Sequence, residues 1–452
     1  MRKVTIIGGG GVRTPLLIHA LARATALEVG EVALYDLDRE RAETIAKLGR
    51  EILRTSERSF ELHVASTVEE AAMGADFVLN SIRVGGIAAR ARDERIAIEH
   101  GLAGQETTGP AGAAMALRTI PVTLQQARLV ETVAPSAWFI NFTNPAGLIT
   151  QALQQQTALK VIGICDTPIE LFHRIAEVLG EPVTDFGFHY AGLNHLGWVR
   201  TVELRGEDVT ERLLSRPDLL QRLYPAGLFD PELVRTLRLI PTEYLFFYYS
   251  QRKACENQRR VGASRGEEIE RLNGKLFEQL RSSGGADALA AYRRYLLQRN
   301  ASYMKLEGNA ESAFAIAQED YDPFETATGY HRIALDVMSG LVSENTRELV
   351  LNVKNAGAIE DLESDDVVEV PCDIDRNGAR PRRTGRLPYS VRGLVQSVKA
   401  YERTTIEAAL SGSARLAQLA MLEYPIIGQW DLAGELLQRL VRDDVENLGF
   451  LR

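Results

Sequence analysis

The first fifteen residues constrain this chain most. Val4-Thr5-Ile6-Ile7 is a short β-branched apolar run, Gly8 to Gly11 follow, and Arg13-Thr14-Pro15 opens a helical pattern through Leu16-Leu17-Ile18-His19-Ala20-Leu21-Ala22. An apolar run of this kind, set between charge and glycine, reads as a buried parallel strand. Pro15 suits a first helical turn, where its missing N–H costs nothing. A backbone without Cβ atoms approaches a pyrophosphate closely, and the helix start offers it free N–H groups. A second run, Glu31-Val32-Ala33-Leu34-Tyr35, ends in Asp36, where such folds place the carboxylate that takes a ribose 2′-hydroxyl. Gly8, Gly10, Gly11 and Asp36 therefore form a candidate NAD site, and Asp36 would repel the 2′-phosphate of NADP. Arg13 stands where the motif G-x-G-x-x-G wants its third small residue. The competing reading is a tight strand–helix turn that binds nothing.

The alternation of strand and helix continues. Asp76-Phe77-Val78-Leu79-Asn80, Trp138-Phe139-Ile140-Asn141 and Lys160-Val161-Ile162-Gly163-Ile164-Cys165 are further strands, each ending in a polar or glycine-rich turn. This predicts an α/β protein with an N-terminal doubly wound, Rossmann-like parallel sheet, whose ligands sit beyond the carboxyl ends of the strands. From Gly187 the texture changes to strand and turn, then to a mainly helical region from Pro217 to Ala317. Val367-Val368-Glu369-Val370 reads as a strand, and Pro388 to Leu440 as helical. The expected division is an NAD-binding unit at 1–170 and an α+β substrate- and metal-binding unit at 171–452, closely packed.

Lys and Arg number 52 against 61 Asp and Glu, a net charge of −9, which argues against a general nucleic-acid binder. Cys165, Cys255 and Cys372 are too far apart for a redox pair or a zinc ribbon, and so low a count fits a reducing compartment. The N-terminus enters a strand at once, without a secretory leader, and no apolar run reaches membrane-spanning length. The expectation is a cytoplasmic protein with no nucleic-acid or membrane partner.

Several segments carry candidate chemistry. Cys165-Asp166-Thr167-Pro168 lies at a strand end, and Asn194-His195 in the strand-and-turn region. Taken alone, a cysteine there is a small buried residue and a lone histidine is structural. Together they are too few for structural zinc, but suit an open metal site that borrows ligands from substrate and water. Arg83, Arg90, Arg92 and Arg95 fall within thirteen positions beside Gly104-Gln105-Glu106-Thr107-Thr108-Gly109-Pro110. They could hold a phosphate, or line a solvated helix face in Arg–Glu pairs. Tyr244, Tyr248 and Tyr249 lie on an aromatic stretch that is core, interface or the source of a general base.

In order, IIGGGGVRTP, SIRVGGIAARARDE, GQETTGPAG, NFTNPAGLIT, GICDTP, YAGLNHLGW, PTEYLFFYY, LNVKNAG and VVEVP resemble glycoside hydrolase family four, the NAD- and metal-dependent glycosidases. The resemblance runs from residue 1 to about 412. It implies a route unlike the two-carboxylate mechanism of most glycosidases. NAD oxidises the sugar C3 hydroxyl, the ketone acidifies the C2 proton, a base removes it, and a divalent metal, usually Mn²⁺, steadies the charge. The C1 substituent is eliminated, water adds, and the hydride returns. By motif, the resemblance makes Cys165 and His195 the metal ligands, Tyr244 the base and Asp166 the acid. It places Arg83 with Gly8, Gly10, Gly11 and Asp36 on the cofactor, and Arg90, Glu106, Asn144 and Asn194 on the substrate, Arg90 at a 6-phosphate or its replacement.

The small-molecule glycoside is read as 6-phosphorylated and β-linked, from RVGG, LNVKNAG and VVEVP. Two departures favour the family's α or non-phosphorylated branches. Asp166 replaces the asparagine usual in the β branch, and Arg299-Asn300-Ala301-Ser302-Tyr303-Met304 replaces a glycine-rich loop. A homodimer or homotetramer is expected. The rivals are an NAD-dependent 2-hydroxyacid dehydrogenase, which leaves Cys165 unexplained, and a silent NAD-binding sensor.

Overall fold

The computed structural model describes residues 1–224, 227–304 and 322–452. The first half delivers the predicted alternation. Strands are β1 (Arg2–Ile7), β2 (Val29–Tyr35), β3 (Glu61–Val64), β4 (Phe77–Asn80), β5 (Trp138–Asn141) and β6 (Lys160–Gly163). Helices are α1 (Thr14–Arg23), α2 (Arg39–Arg54), α3 (Val68–Ala72), α4 (Gly86–Glu99), α5 (Gly109–Val133), α6 (Ala146–Gln156) and α7 (Thr167–Leu179). All six strands are parallel, in the order β3-β2-β1-β4-β5-β6. Their continuous apolar runs follow from helices on both faces: Val4, Ile7, Val32, Leu34, Val78, Phe139 and Ile140 are fully buried. The order reverses between β1 and β4, and a crevice opens there beyond the strand ends.

The sheet does not stop at β6. A hairpin, β7 (Phe186–Leu193) and β8 (Leu196–Leu204), is followed by β9 (Glu207–Asp208) and β10 (Ile240–Pro241). Later come β11 (Arg347–Lys354), β12 (Val367–Asp375) and β13 (Gly378–Pro381). They continue the sheet antiparallel in the order β6-β11-β12-β7-β8-β10, with β13 on β12 and β9 on β8. The junction is the single pair Asn352↔Gly163. Only glycine fits there, because a Cβ on Gly163 would lie 2.2 Å from Thr150 Oγ1.

One thirteen-stranded sheet thus runs through both expected units. Position 170 falls inside α7, which ends at Gly180 with φ +76°. The helical expectation beyond Pro217 holds for Gln251–Val261, Arg265–Ser282 and Gly285–Ala301, while its portions at 225–226 and 305–317 lie outside the described residues. The expected C-terminal helical region is Tyr389–Ser411, Ala414–Glu423 and Trp430–Asp443. The strand character of β3 and β11 was not foreseen: β3 is short and polar, and β11 opens on Arg347-Glu348.

The C-terminal helices fasten onto the sheet through a buried cation. Lys399 is 1% exposed; its Nζ donates to Gln151 Oε1 on α6 at 3.0 Å, to the Val367 carbonyl on β12 at 2.7 Å, and to Glu402. Removing one partner of a buried pair strands the other charge. Lys399→Met should therefore cost about 3–5 kcal/mol of stability, and Lys399→Met with Glu402→Leu should recover much of it. Urea-unfolding midpoints of the two variants check this.

Candidate active site

At the end of β1 the chain turns through Gly8, with φ +88°. A Cβ there would lie 2.4 Å from the Ser81 carbonyl oxygen after β4, so the crevice between the reversing strands closes only on glycine. Gly10 N–H donates to Asp36 Oδ2 at 2.9 Å, Asp38 N–H donates to Asp36 Oδ1 at 3.0 Å, and Arg41 Nε donates to the Gly10 carbonyl at 2.9 Å. A Cβ on Gly10 would lie 2.9 Å from Asp36 Oδ2. Glycine loop and carboxylate are thus held together before any ligand arrives. Helix α1 carries no side-chain cap and no acidic residue in its first turn, so its start is left to an anion. These residues fit a dinucleotide. Arg13 replaces the expected third small residue without strain. It is the N-cap of α1, and its side chain turns away from the loop, 3.7 Å from Asp166 Oδ2 and 4.2 Å from the Tyr330 ring centre.

Cys165 follows β6, and His195 sits in the β7–β8 turn with φ +62°. Both are 3% exposed. Glu369 on β12 brings the turn to this place. Its Oε1 accepts from Asn194 Nδ2 at 3.1 Å and from Asn352 Nδ2 at 3.0 Å, and its Oε2 from Tyr190 Oη at 2.7 Å. The His195 ring lies flat on Tyr244, centre to centre 3.7 Å at 2°. Its Nδ1 is 2.8 Å from Thr107 Oγ1, and its buried Nε2 has no hydrogen-bond partner among the described residues. Burial lowers the imidazole to about 4 despite Glu106 nearby, which keeps the ring neutral at neutral pH. Burial, with Glu369 and Asp166, pushes the Cys165 thiol up, a bias that a bound cation would reverse. Among the described residues no three His, Cys, Asp or Glu side chains gather into a metal cage. One unpartnered imidazole nitrogen and one thiol, both reaching Tyr244, fit an open catalytic site rather than a structural one.

A cavity of about 450 Å³ opens over these strand ends, walled by Arg13, Glu106, Asp166, Tyr244, Arg299 and Tyr330 among others. Cys165, His195, Asn144 and Asn194 are not on its wall, whereas Asp166, next after Cys165 in the chain, and Tyr244, stacked on His195, are. Asn144 Oδ1 is buried and among the described residues has no partner, as a group awaiting a hydroxyl would be. The Asn194 amide is already engaged, accepting from Ala146 N–H at 3.1 Å and donating to Glu369. Burial raises Tyr244, and Glu106 and Glu243 add to this, so the phenol needs a nearby cation to act as a base. Asp166 and Glu170 are both held above the ordinary carboxylate range by burial and by facing acidic neighbours.

Arg83 and Arg90 share Glu106, at 2.5 Å and 2.8 Å, and Arg90 also donates to Glu94 at 2.8 Å. Burial raises Glu106, but the two guanidiniums outweigh it and hold the carboxyl well below the usual range. Arg90 therefore reaches the cavity with its charge already balanced. Among the described residues Arg299 pairs with no carboxylate; its Nη1 donates to Tyr295 Oη at 2.8 Å. Sequence reasoning gave Arg299, Thr107 and Glu369 no role. Thr107 and Glu369 lay inside quoted motifs, but only the fold reveals what they touch.

A glycine loop that fits a dinucleotide, with a thiol and an imidazole that fit a cation, agrees with an NAD- and metal-dependent enzyme. The family 4 glycosyl hydrolase model matches residues 3–181, and that of the family 4 glycosyl hydrolase C-terminal domain residues 190–427, so the chain belongs to the family 4 glycosyl hydrolases. It is 31% identical to a probable 6-phospho-beta-glucosidase of Bacillus subtilis, over 97% of this chain and 95% of that protein. The structure of the 6-phospho-beta glucosidase from Thermotoga maritima with manganese, NAD+ and glucose-6-phosphate superposes with a TM-score of 0.81 at 27% identity, over 99% of each chain. A 6-phospho-alpha-glucosidase from gut microorganisms, in complex with NAD and glucose-6-phosphate, gives 0.84 at 26%, over 99% of this chain and 98% of that one. Family membership rules against the dehydrogenase reading.

Asp36→Ala should weaken NAD binding by about 1–3 kcal/mol, the range for a charge-assisted hydrogen bond. A calorimetric titration of NAD into both proteins measures it.

Proposed function

We propose that this chain hydrolyses 6-phosphorylated glucosides, β-linked ones first, with NAD and a divalent cation, Mn²⁺ by preference. The observation that carries the reading is that one cavity is walled by Arg13, which follows the glycine loop, by Asp166, which follows Cys165, and by Tyr244, which stacks on His195. Two carboxylates acting alone would need neither loop nor cation. When bound, NAD accepts and returns the hydride at sugar C3, and the cation steadies negative charge on the C2 and C3 oxygens.

The chain's own residues do the rest. Gly8, Gly10 and Gly11 admit the pyrophosphate, and Asp36 holds the ribose. Arg83, assigned to the cofactor, is off the cavity wall and tied through Glu106 to Arg90. Asn144 offers its Oδ1 to a sugar hydroxyl, while Asn194 keeps the His195 turn in place. Tyr244 takes the C2 proton, and Asp166 on the cavity wall delivers one to the leaving oxygen. Asp166 and its Arg13 partner also support a second reading, an α-glucosidase, because elimination needs no backside displacement at C1. The three free cysteines support a reducing, cytoplasmic setting, and a homodimer or homotetramer is the proposed assembly.

The phosphate falls to Arg299, the cavity-wall cation that among the described residues pairs with no carboxylate. Arg299→Met should lower kcat/KM on 6-phosphorylated aryl glucosides by about 10–100-fold, the worth of a charged hydrogen bond, and leave plain glucosides nearly unchanged. Arg90→Met should instead depress both classes and lower stability, because Glu94 and Glu106 lose their shared counter-ion. A panel of α- and β-glucosides, with and without the phosphate, checks this and settles the anomer.

The route itself is tested at C2. In D₂O the wild-type product should gain deuterium at C2, and substrate deuterated there should react more slowly. Tyr244→Phe removes the acceptor and keeps the ring on His195, so NAD binding should persist while C2 exchange nearly stops. Mass spectrometry of the product reads the label. An unlabelled wild-type product together with no isotope effect would exclude the elimination route.

A further inference from the structure

Glu106 of the Gln105–Gly109 segment serves the arginines. Thr107, on the same segment, faces the metal site instead. The backbone N–H groups of Thr107 and Thr108 donate to Gln105 Oε1 at 2.6 Å and 2.8 Å. Two backbone donors on one atom identify it as the amide oxygen. Thr107 Oγ1 lies 2.8 Å from that same oxygen. Two oxygens so close need a proton between them, and a carbonyl oxygen has none to give. The hydroxyl proton of Thr107 is therefore committed to Gln105.

Only lone pairs of Thr107 Oγ1 remain for His195 Nδ1, 2.8 Å away. Nδ1 must carry the ring proton. A neutral imidazole has one such proton, so Nε2 keeps its lone pair. The other tautomer would set lone pair against lone pair at Thr107 and leave a buried N–H without an acceptor, since Nε2 has no partner among the described residues. The relay is held rigidly. Gly104 N–H donates to Gln258 Oε1 at 2.8 Å, Gln258 Nε2 donates to the Gly104 carbonyl at 2.7 Å, and Gly109 N–H donates to Tyr424 Oη at 3.0 Å. The ring itself is clamped by Tyr244.

We propose that Thr107, backed by Gln105, is a positioning residue that fixes the tautomer of His195 and presents a bare Nε2 to a divalent cation. The proposal rests on the metal reading of Cys165 and His195 given above. Partners of this kind, behind a metal-binding histidine, commonly set metal affinity by about 10–100-fold.

The test uses Thr107→Val, which keeps the shape and loses the hydroxyl, and Thr107→Ser, which keeps the hydroxyl. In chelator-treated wild-type protein with ¹⁵N-labelled histidine, the His195 resonances are identified by their loss in His195→Gln. They should show a protonated Nδ1 and an unprotonated Nε2. Mn²⁺ titrated calorimetrically in the presence of NAD should bind Thr107→Val about 10–100-fold more weakly than wild type. Thr107→Ser should return to within about threefold, and NAD affinity should not move in either variant. An Nε2–H tautomer in the wild type overturns the proposal, and that readout stands even where Thr107→Val does not fold. Wild-type Mn²⁺ affinity in Thr107→Val overturns it too. Should His195→Gln still bind Mn²⁺ as the wild type does, the metal reading beneath it fails instead.

Discussion

The site depends on a buried carboxylate that touches no ligand in the proposed reaction. Glu369 collects three side-chain donors from Tyr190, Asn194 and Asn352, and so ties β7, its turn, β11 and β12 to one point. Asn352 is the residue that pairs with Gly163 at the end of the parallel sheet. Cys165 lies two residues further along the chain. The antiparallel extension is thus docked on the parallel sheet where the histidine turn must meet the cysteine. Burial raises Glu369, and its three donors pull the other way. Few arrangements satisfy a buried carboxyl, and this is why one such group can specify the register of several strands.

Charge in the cavity is sorted by the same logic. Arg90, Arg174 and Arg265 are matched to carboxylates at 2.9 Å or less, and those pairs build walls. Arg13 is paired only loosely, at 3.7 Å, and Arg299 binds a phenol. An anion entering the cavity gains most from the guanidiniums that the wall has not already neutralised. Counting arginines along the chain points to the run from Arg83 to Arg95, whereas the structure spends two of those residues on Glu106.

How much was legible follows from what each signal depends on. The parallel sheet and Asp36 were readable because β-branched runs, glycines and a terminal carboxylate act within a few residues of one another. Cys165 and His195 become a candidate pair only through the resemblance, since 30 positions separate them and neither residue type is diagnostic alone. Strand β11 was missed because a strand that begins in charge and ends in the core lacks the continuous apolar run of its neighbours. Glu369 sat in view within VVEVP, but a glutamate in a strand reads as a solvent-facing residue. Its burial is decided by β7 and β11, which come from distant parts of the chain.

Arg13 shows why a departure from a local motif is informative. The third small residue of a dinucleotide fingerprint keeps helix and strand close, and a long cation there looks like a defect. Here the position is the N-cap of α1, and the side chain leaves the loop for the cavity, where it stands over Tyr330 and near Asp166. Both neighbours line the cavity: Asp166 follows Cys165, and Tyr330 opens a helix. A residue of the cofactor loop is thereby linked to the proposed acid of the leaving-group step. In a plain dehydrogenase that position has only to pack. A glycosidase that oxidises its sugar before cleaving it must hold cofactor and acid on one substrate ring, and Arg13 lies between the glycine loop and the proposed acid.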